Sequence, residues 1–154
     1  MASSFPAQVA YNLDDSTVEE YTPDNDSDAF VPGDFVVLTN NEAGVCGANP
    51  STIQGLAEVD SVEAAGITPN GKVPVRVLGP STVLAMSSST TPVEATHLGQ
   101  KYGITKDGTT GFWQVDTSKT STNARVYVER LNVEEGIWYV RVLGQYLGAA
   151  GIPA

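Results

Sequence analysis

Two stretches of the chain come close to ligand-binding motifs, and each stops short. Gly66-Ile67-Thr68-Pro69-Asn70-Gly71-Lys72 has the glycine spacing and the lysine of a phosphate-binding loop. Such a loop needs Ser or Thr after the lysine to hold Mg²⁺, then a helix whose N-terminus faces the phosphates. Val73 and Pro74 follow instead, with alternating valines, so the stretch reads as a turn entering a strand. Asp24-Asn25-Asp26-Ser27-Asp28 opens like a calcium loop, which wants Gly at the sixth place and Glu at the twelfth. Ala29 and Phe35 stand there, which leaves a solvated acidic run. Cys46 and His97 are the single residues of their kinds. One cysteine excludes a disulfide framework and a cysteine-rich zinc site, and one histidine excludes most histidine metal sites. Cys46, in Val45-Cys46-Gly47, reads as a small buried hydrophobe. His97 reads as the end of a short helix, beside the last carbonyls. No Gly-x-Ser-x-Gly elbow is present, and Asn25-Asp26-Ser27 is a glycosylation sequon in spelling only. The expectation is a protein with no catalytic, cofactor-binding or metal residues, and not an enzyme.

The other residues of consequence are aromatic. Phe112-Trp113 and Ile137-Trp138-Tyr139 lie in strand-like runs whose ordinary use is a core plus one exposed face. Trp, Tyr and Arg also anchor protein interfaces. Trp113, Tyr127, Trp138, Tyr139 and Arg141 are therefore the candidate subunit-interface residues, with Tyr127, Tyr139 and Arg141 at alternate positions that point away from a core.

The elements that must carry these residues are short strands. From Phe30 onward, turn signals recur every 8 to 14 residues. Runs at 35–38, 45–47, 53–59, 72–78, 82–86, 111–115, 125–131 and 137–143 read as strands. Asn40-Asn41-Glu42-Ala43-Gly44 reads as a hairpin loop, and Val73, Val75 and Val77 share one face. Pro74 places its strand at an edge or a bulge. Asp60-Ser61-Val62-Glu63 spells a capping box closed by Gly66, and Thr91-Pro92-Val93-Glu94 spells N-cap, Pro at N1 and Glu at N3. The expected fold is all-β: a small barrel of about seven or eight short strands, one or two very short helices, and an extended N-terminal arm.

Charge separates the arm from the rest. The chain has 154 residues and a net charge of −10, from eight Lys plus Arg against eighteen Asp plus Glu. Residues 1–42 hold nine of the acids and no base, and the remaining 112 residues come to −1. A surface this acidic excludes a general nucleic-acid binder, and no stretch has the roughly 18 apolar residues of a membrane span. The N-terminus has no basic and apolar leader, so the chain reads as made in a cytoplasm. Residues 1–29 show no sustained apolar period, which suits an arm that is flexible when free. Phe5, Val9, Tyr11, Leu13 and Tyr21 are spaced anchors within it, suited to a strand laid onto a partner. Residues 30–154 form the barrel domain in this reading.

Several stretches resemble the capsid decoration (head-stabilising, or cement) proteins of tailed bacteriophages, of the phage-lambda-type β-tulip family. They are Phe30-Val31-Pro32-Gly33-Asp34-Phe35-Val36-Val37-Leu38, Ile53-Gln54-Gly55-Leu56-Ala57-Glu58-Val59, residues 71–86, Leu98-Gly99-Gln100-Lys101-Tyr102-Gly103 and residues 108–115. The likeness covers residues 30–143. It implies a compact β-tulip or barrel that assembles in threes on the outer face of a shell, with an N-terminal segment that orders on the capsid. The implied partners are the major capsid protein of the same phage and two further copies of the chain, with no nucleic acid and no membrane. The implied location is the virion surface after synthesis in the bacterial host. A tail or fibre component of the virion, or a small β-barrel enzyme with a site of scattered residues, are the alternatives. A DNA mimic is a third, and it would need its acids on one rigid face.

Overall fold

A computed structural model describes residues 4–12, 17–23, 30–58 and 72–148. Eleven strands carry the fold: β1 (Gln8–Asn12), β2 (Val18–Pro23), β3 (Phe35–Thr39), β4 (Glu42–Val45), β5 (Gly55–Ala57), β6 (Val73–Val77), β7 (Thr82–Ser88), β8 (Lys101–Lys106), β9 (Trp113–Asp116), β10 (Val126–Asn132) and β11 (Ile137–Val142). One four-residue helix, α1 (Glu94–His97), and the 3₁₀ turns Ser121–Asn123 and Gly144–Tyr146 are the only helical pieces among the described residues. The all-β expectation therefore holds, with a closed five-stranded barrel and a second sheet. No helix among the described residues is long and apolar enough to cross a membrane.

Two bodies share the strands. The first is a closed barrel in the order β2-β4-β3-β5-β6. Its β3–β4 hairpin turns on Asn40 and Asn41 alone, both at positive φ (53° and 66°), the conformation a two-residue hairpin turn requires. The strand therefore begins at Glu42, where the sequence reads as loop. Alternation splits β3 and β5 between two cores. Val36 and Ala57 face the barrel interior with Phe30, Ala43, Val73 and Val75. Phe35 and Leu56 face outward into the second body. Gly55 is obligatory, because a Cβ there would collide with the Arg76 carbonyl oxygen.

Pro74 sits in an inner strand, paired with β2 on one side while β5 lies on the other, and not at the expected edge or bulge. Its carbonyl accepts the Glu58 N–H at 2.9 Å. Proline returns no N–H to Glu58, so this pair, just past the end of three-residue β5, carries one ladder bond in place of two.

The second body is a six-stranded sheet in the order β1-β7-β11-β10-β8-β9. It curls until β9 meets β7 through the parallel pairs Ser87↔Gln114 and Ser88↔Val115, which closes β7, β11, β10, β8 and β9 into a ring. β1 lies beside the N-terminal half of β7. The inward residues of β10 and β11 (Val126, Val128, Leu131, Trp138, Val140, Val142) meet Leu84, Met86, Ile104, Trp113 and Val115 in the larger core.

The acidic N-terminal stretch thus supplies strands to both bodies, β1 to the ring and β2 to the barrel. This differs from a separate arm ending at residue 29. Leu13, the acidic run 24–28, the capping-box spelling at 60–63 and the near-miss phosphate loop up to Gly71 lie outside the described residues.

Polar clamps tie barrel to ring. Asp34 is fully buried. Its carboxylate accepts the Trp113 indole N–H (3.0 Å) and the Val31 N–H (2.8 Å), and pairs with Lys106 Nζ (2.8 Å). Arg125, also buried, donates to the carbonyls of Pro50, Thr122 and Ala124 and stacks 4.0 Å over the Tyr146 ring. Lys119 Nζ bridges the carbonyls of Ala48 and Ile104, both at 2.9 Å.

Candidate functional site

The outer face of the ring, across β1, β7, β11 and β10, gathers the residues best suited to contact. Alternation in β11 turns Trp138, Val140 and Val142 inward and leaves Ile137, Tyr139 and Arg141 outward. β10 alternates likewise until its register shifts between Val128 and Arg130. A bulge of this kind sets two consecutive residues on one side. Here it leaves both Glu129 and Arg130 at the surface between inward Val128 and Leu131. β1 carries its own shift between Val9 and Tyr11.

Cross-strand register then brings the side chains together. Tyr139 stands opposite Ala85 on one side and Arg130 on the other, and Ala85 stands opposite Gln8. Ala85 is the smallest residue in that row, so the face dips there. The result is a trough of ≈ 430 Å³ whose walls include Phe5, Val9, Tyr11, Ile137 and Tyr139, with Arg130 at its margin. Beside it, Glu129 accepts the Tyr11 hydroxyl at 3.0 Å and Arg141 Nη2 at 2.6 Å. Partial burial, and then this donation to Glu129, hold the Tyr11 phenol above its ordinary value of 10.0. The Arg130 guanidinium lies 4.1 Å from the Tyr139 ring centroid and 5.8 Å from that of Tyr11.

The expected residues divide cleanly. Phe5 and Tyr11 lie along this face, as do Tyr139, Arg141 and its cross-strand neighbour Tyr127, whereas Val9, opposite inward Leu84, packs against the larger core and reaches only the trough wall. Tyr21 belongs to the barrel, where its hydroxyl accepts Gln54 Nε2 at 3.1 Å. Trp113 and Trp138 are core residues at 2% and 0% exposure, and neither offers surface to a partner. Period two already separates Trp138 from Ile137 and Tyr139, so that burial was available from spacing. Ala85, Glu129, Arg130 and Ile137 are additions. The adjacent charges Glu129-Arg130, breaking a strand of alternating apolar residues, are the sequence signal of the bulge.

The remaining reactive groups serve structure. Burial first, and then the nearby Asp34 charge, push the Cys46 thiol up to about 12, so it stays protonated at neutral pH. His97 does not reach the last carbonyls of α1. Its Nδ1 accepts the Val93 N–H (2.9 Å) at the helix start, where no side chain caps from the N-cap position. The ring packs 4.9 Å from Trp138 and 5.9 Å from Tyr102. Among the described residues, no three His, Cys, Asp or Glu side chains group as a metal site.

Comparison with known protein families and with characterised proteins finds no match for this chain.

Proposed function

We propose that this chain is a structural virion protein, without catalytic turnover, that binds the outer surface of a tailed-phage capsid. It bridges subunits of the major capsid protein and sits with two further copies of itself around a local threefold axis. The observation that carries the reading is the outward face of Phe5, Tyr11, Tyr127, Tyr139 and Arg141. Strand-borne tyrosines and arginines backed by a packed core lose little entropy on contact, and they are the residue types that anchor interfaces. The sequence likeness over residues 30–143 supplies the partner. Charge supplies the side of the shell: nine acids and no base in residues 1–42 would be repelled by packaged DNA and tolerated outside. Three linked copies add avidity through effective concentration, and binding the intact lattice over separated subunits stabilises it by linkage.

Co-sedimentation with expanded, DNA-free shells tests the reading. Saturable binding that falls at least about tenfold in Tyr139→Ala, at unchanged melting temperature, is the expected result. Absence of wild-type binding to shells of any candidate phage, with the protein recovered on tails or free in the lysate, would overturn it.

A further inference from the structure

The outer face of the ring distinguishes its two arginines. Arg141 is neutralised by Glu129 at 2.6 Å. Arg130 has no carboxylate partner among the described residues, and the Tyr139 and Tyr11 rings hold its guanidinium from the sides. Ring contacts fix a guanidinium plane and leave its N–H edge for an in-plane acceptor. In a protein of net charge −10, an oriented and unpaired arginine is the exception. Its other side borders a hollow that also carries Glu94 and Glu134, whereas the Glu129 carboxylate on the Tyr11 side is already paired with Arg141, so an anion is favoured from the Tyr11 side, over the trough. Ala85 lines that trough together with the apolar side chains of Val9 and Ile137.

We infer that the trough docks an extended segment of a partner protein, one apolar side chain seating over Ala85 and one carboxylate two residues along pairing with the Arg130 fork. The spacing follows from strand geometry, in which residues i and i+2 share a face about 6.5–7 Å apart. Carboxylate is the acceptor a guanidinium meets with two parallel bonds. The inference rests on this face being a docking surface and adds the chemistry of what it reads.

The test uses the full chain and capped synthetic hexapeptides of Thr carrying one Leu and, two positions on, Glu or Gln, followed by heteronuclear NMR titration. The Glu peptide is expected to shift the signals of Val9, Tyr11, Ala85 and Arg130, and to bind about tenfold more tightly than the Gln peptide. Arg130→Gln should erase that difference, with Arg130→Lys intermediate, and Ala85→Leu should block both peptides by filling the trough. Equal affinity for the Glu and Gln peptides, shifts confined to another surface, or no binding at millimolar peptide would overturn the inference. Peptide binding by a protein that ignores capsids leaves the trough standing and removes the capsid reading. Capsid binding unchanged in both Arg130→Gln and Ala85→Leu does the reverse.

Discussion

The barrel and the ring use the same alternating strand pattern and are held by different means. Among the described residues, the barrel interior contains six buried hydrophobic ones, the largest of them Phe30. The core that the ring shares with the outer wall of the barrel contains nineteen among the described residues, including Trp113 and Trp138. Apolar burial scales with area, so the ring holds itself and the barrel leans on it. The clamps run accordingly. Asp34, on the barrel side, is satisfied by Trp113 and Lys106 of the ring, and the barrel-side carbonyls of Ala48 and Pro50 are satisfied by Lys119 and Arg125. The candidate docking face lies on the ring, the body better able to present side chains without yielding.

Breaking the clamp should have the largest effect. Asp34→Ala leaves the Trp113 indole N–H and the Val31 N–H without acceptors, at about 1–3 kcal/mol for each. Chemical denaturation should show that loss, and hydrogen exchange should show β2 and β6 opening before β10 and β11. Uniform loss of protection in both bodies would mean that the barrel does not depend on the clamp. Gly55→Ala strikes the barrel alone. Its new Cβ meets the Arg76 backbone, and the expected cost is about 1–3 kcal/mol in the same assay, with the ring amides still protected.

The two tryptophans sharpen the comparison further. The Trp113 indole N–H donates to Asp34, whereas Trp138 Nε1 has no hydrogen-bond partner. Trp113→Phe should therefore cost more than Trp138→Phe, by about 1 kcal/mol, since the second removes a donor that was unsatisfied. Equal melting temperatures would show that volume alone decides. Cys46→Ala should cost about 1 kcal/mol, and in the wild type the thiol should resist alkylation at neutral pH, given its value of about 12.

The smallest effect is a pH dependence on the docking face. The Tyr11 phenol is raised in the folded protein, so its contribution is present below the unfolded value and lost as pH rises through the higher folded one. Ultraviolet titration should find Tyr11 ionising above its ordinary value, and Glu129→Gln should bring it earlier.

Much of the ring was legible in the sequence, and less of the barrel. Strands 125–131 and 137–143 announce themselves because both bury a full apolar face at period two. β1 and β2 do not. Val18, Glu19 and Glu20 are exposed, so the pattern is thin, and the density of acids resembles a disordered composition. β4 was hidden because Asn40-Asn41 needs no third residue to turn. Pro74 misled because an inner strand can hold a proline where its ladder ends, and here the ladder to β5 ends at the Glu58 pair with one bond missing. The candidate docking face was half legible. Tyr127, Tyr139 and Arg141 follow from alternation, but Ala85 becomes a trough only through its neighbours Gln8 and Tyr139, contributed by strands far apart in the chain.

Cryo-electron microscopy of shells incubated with the purified protein tests the central claim most directly. The account predicts density on the outer surface alone, grouped in threes, with the β1, β7, β11 and β10 face turned toward the shell and Tyr139 at the contact. Density inside the shell or only on the tail, or an outer density whose contacts come from the barrel while that face stands in solvent, would contradict it.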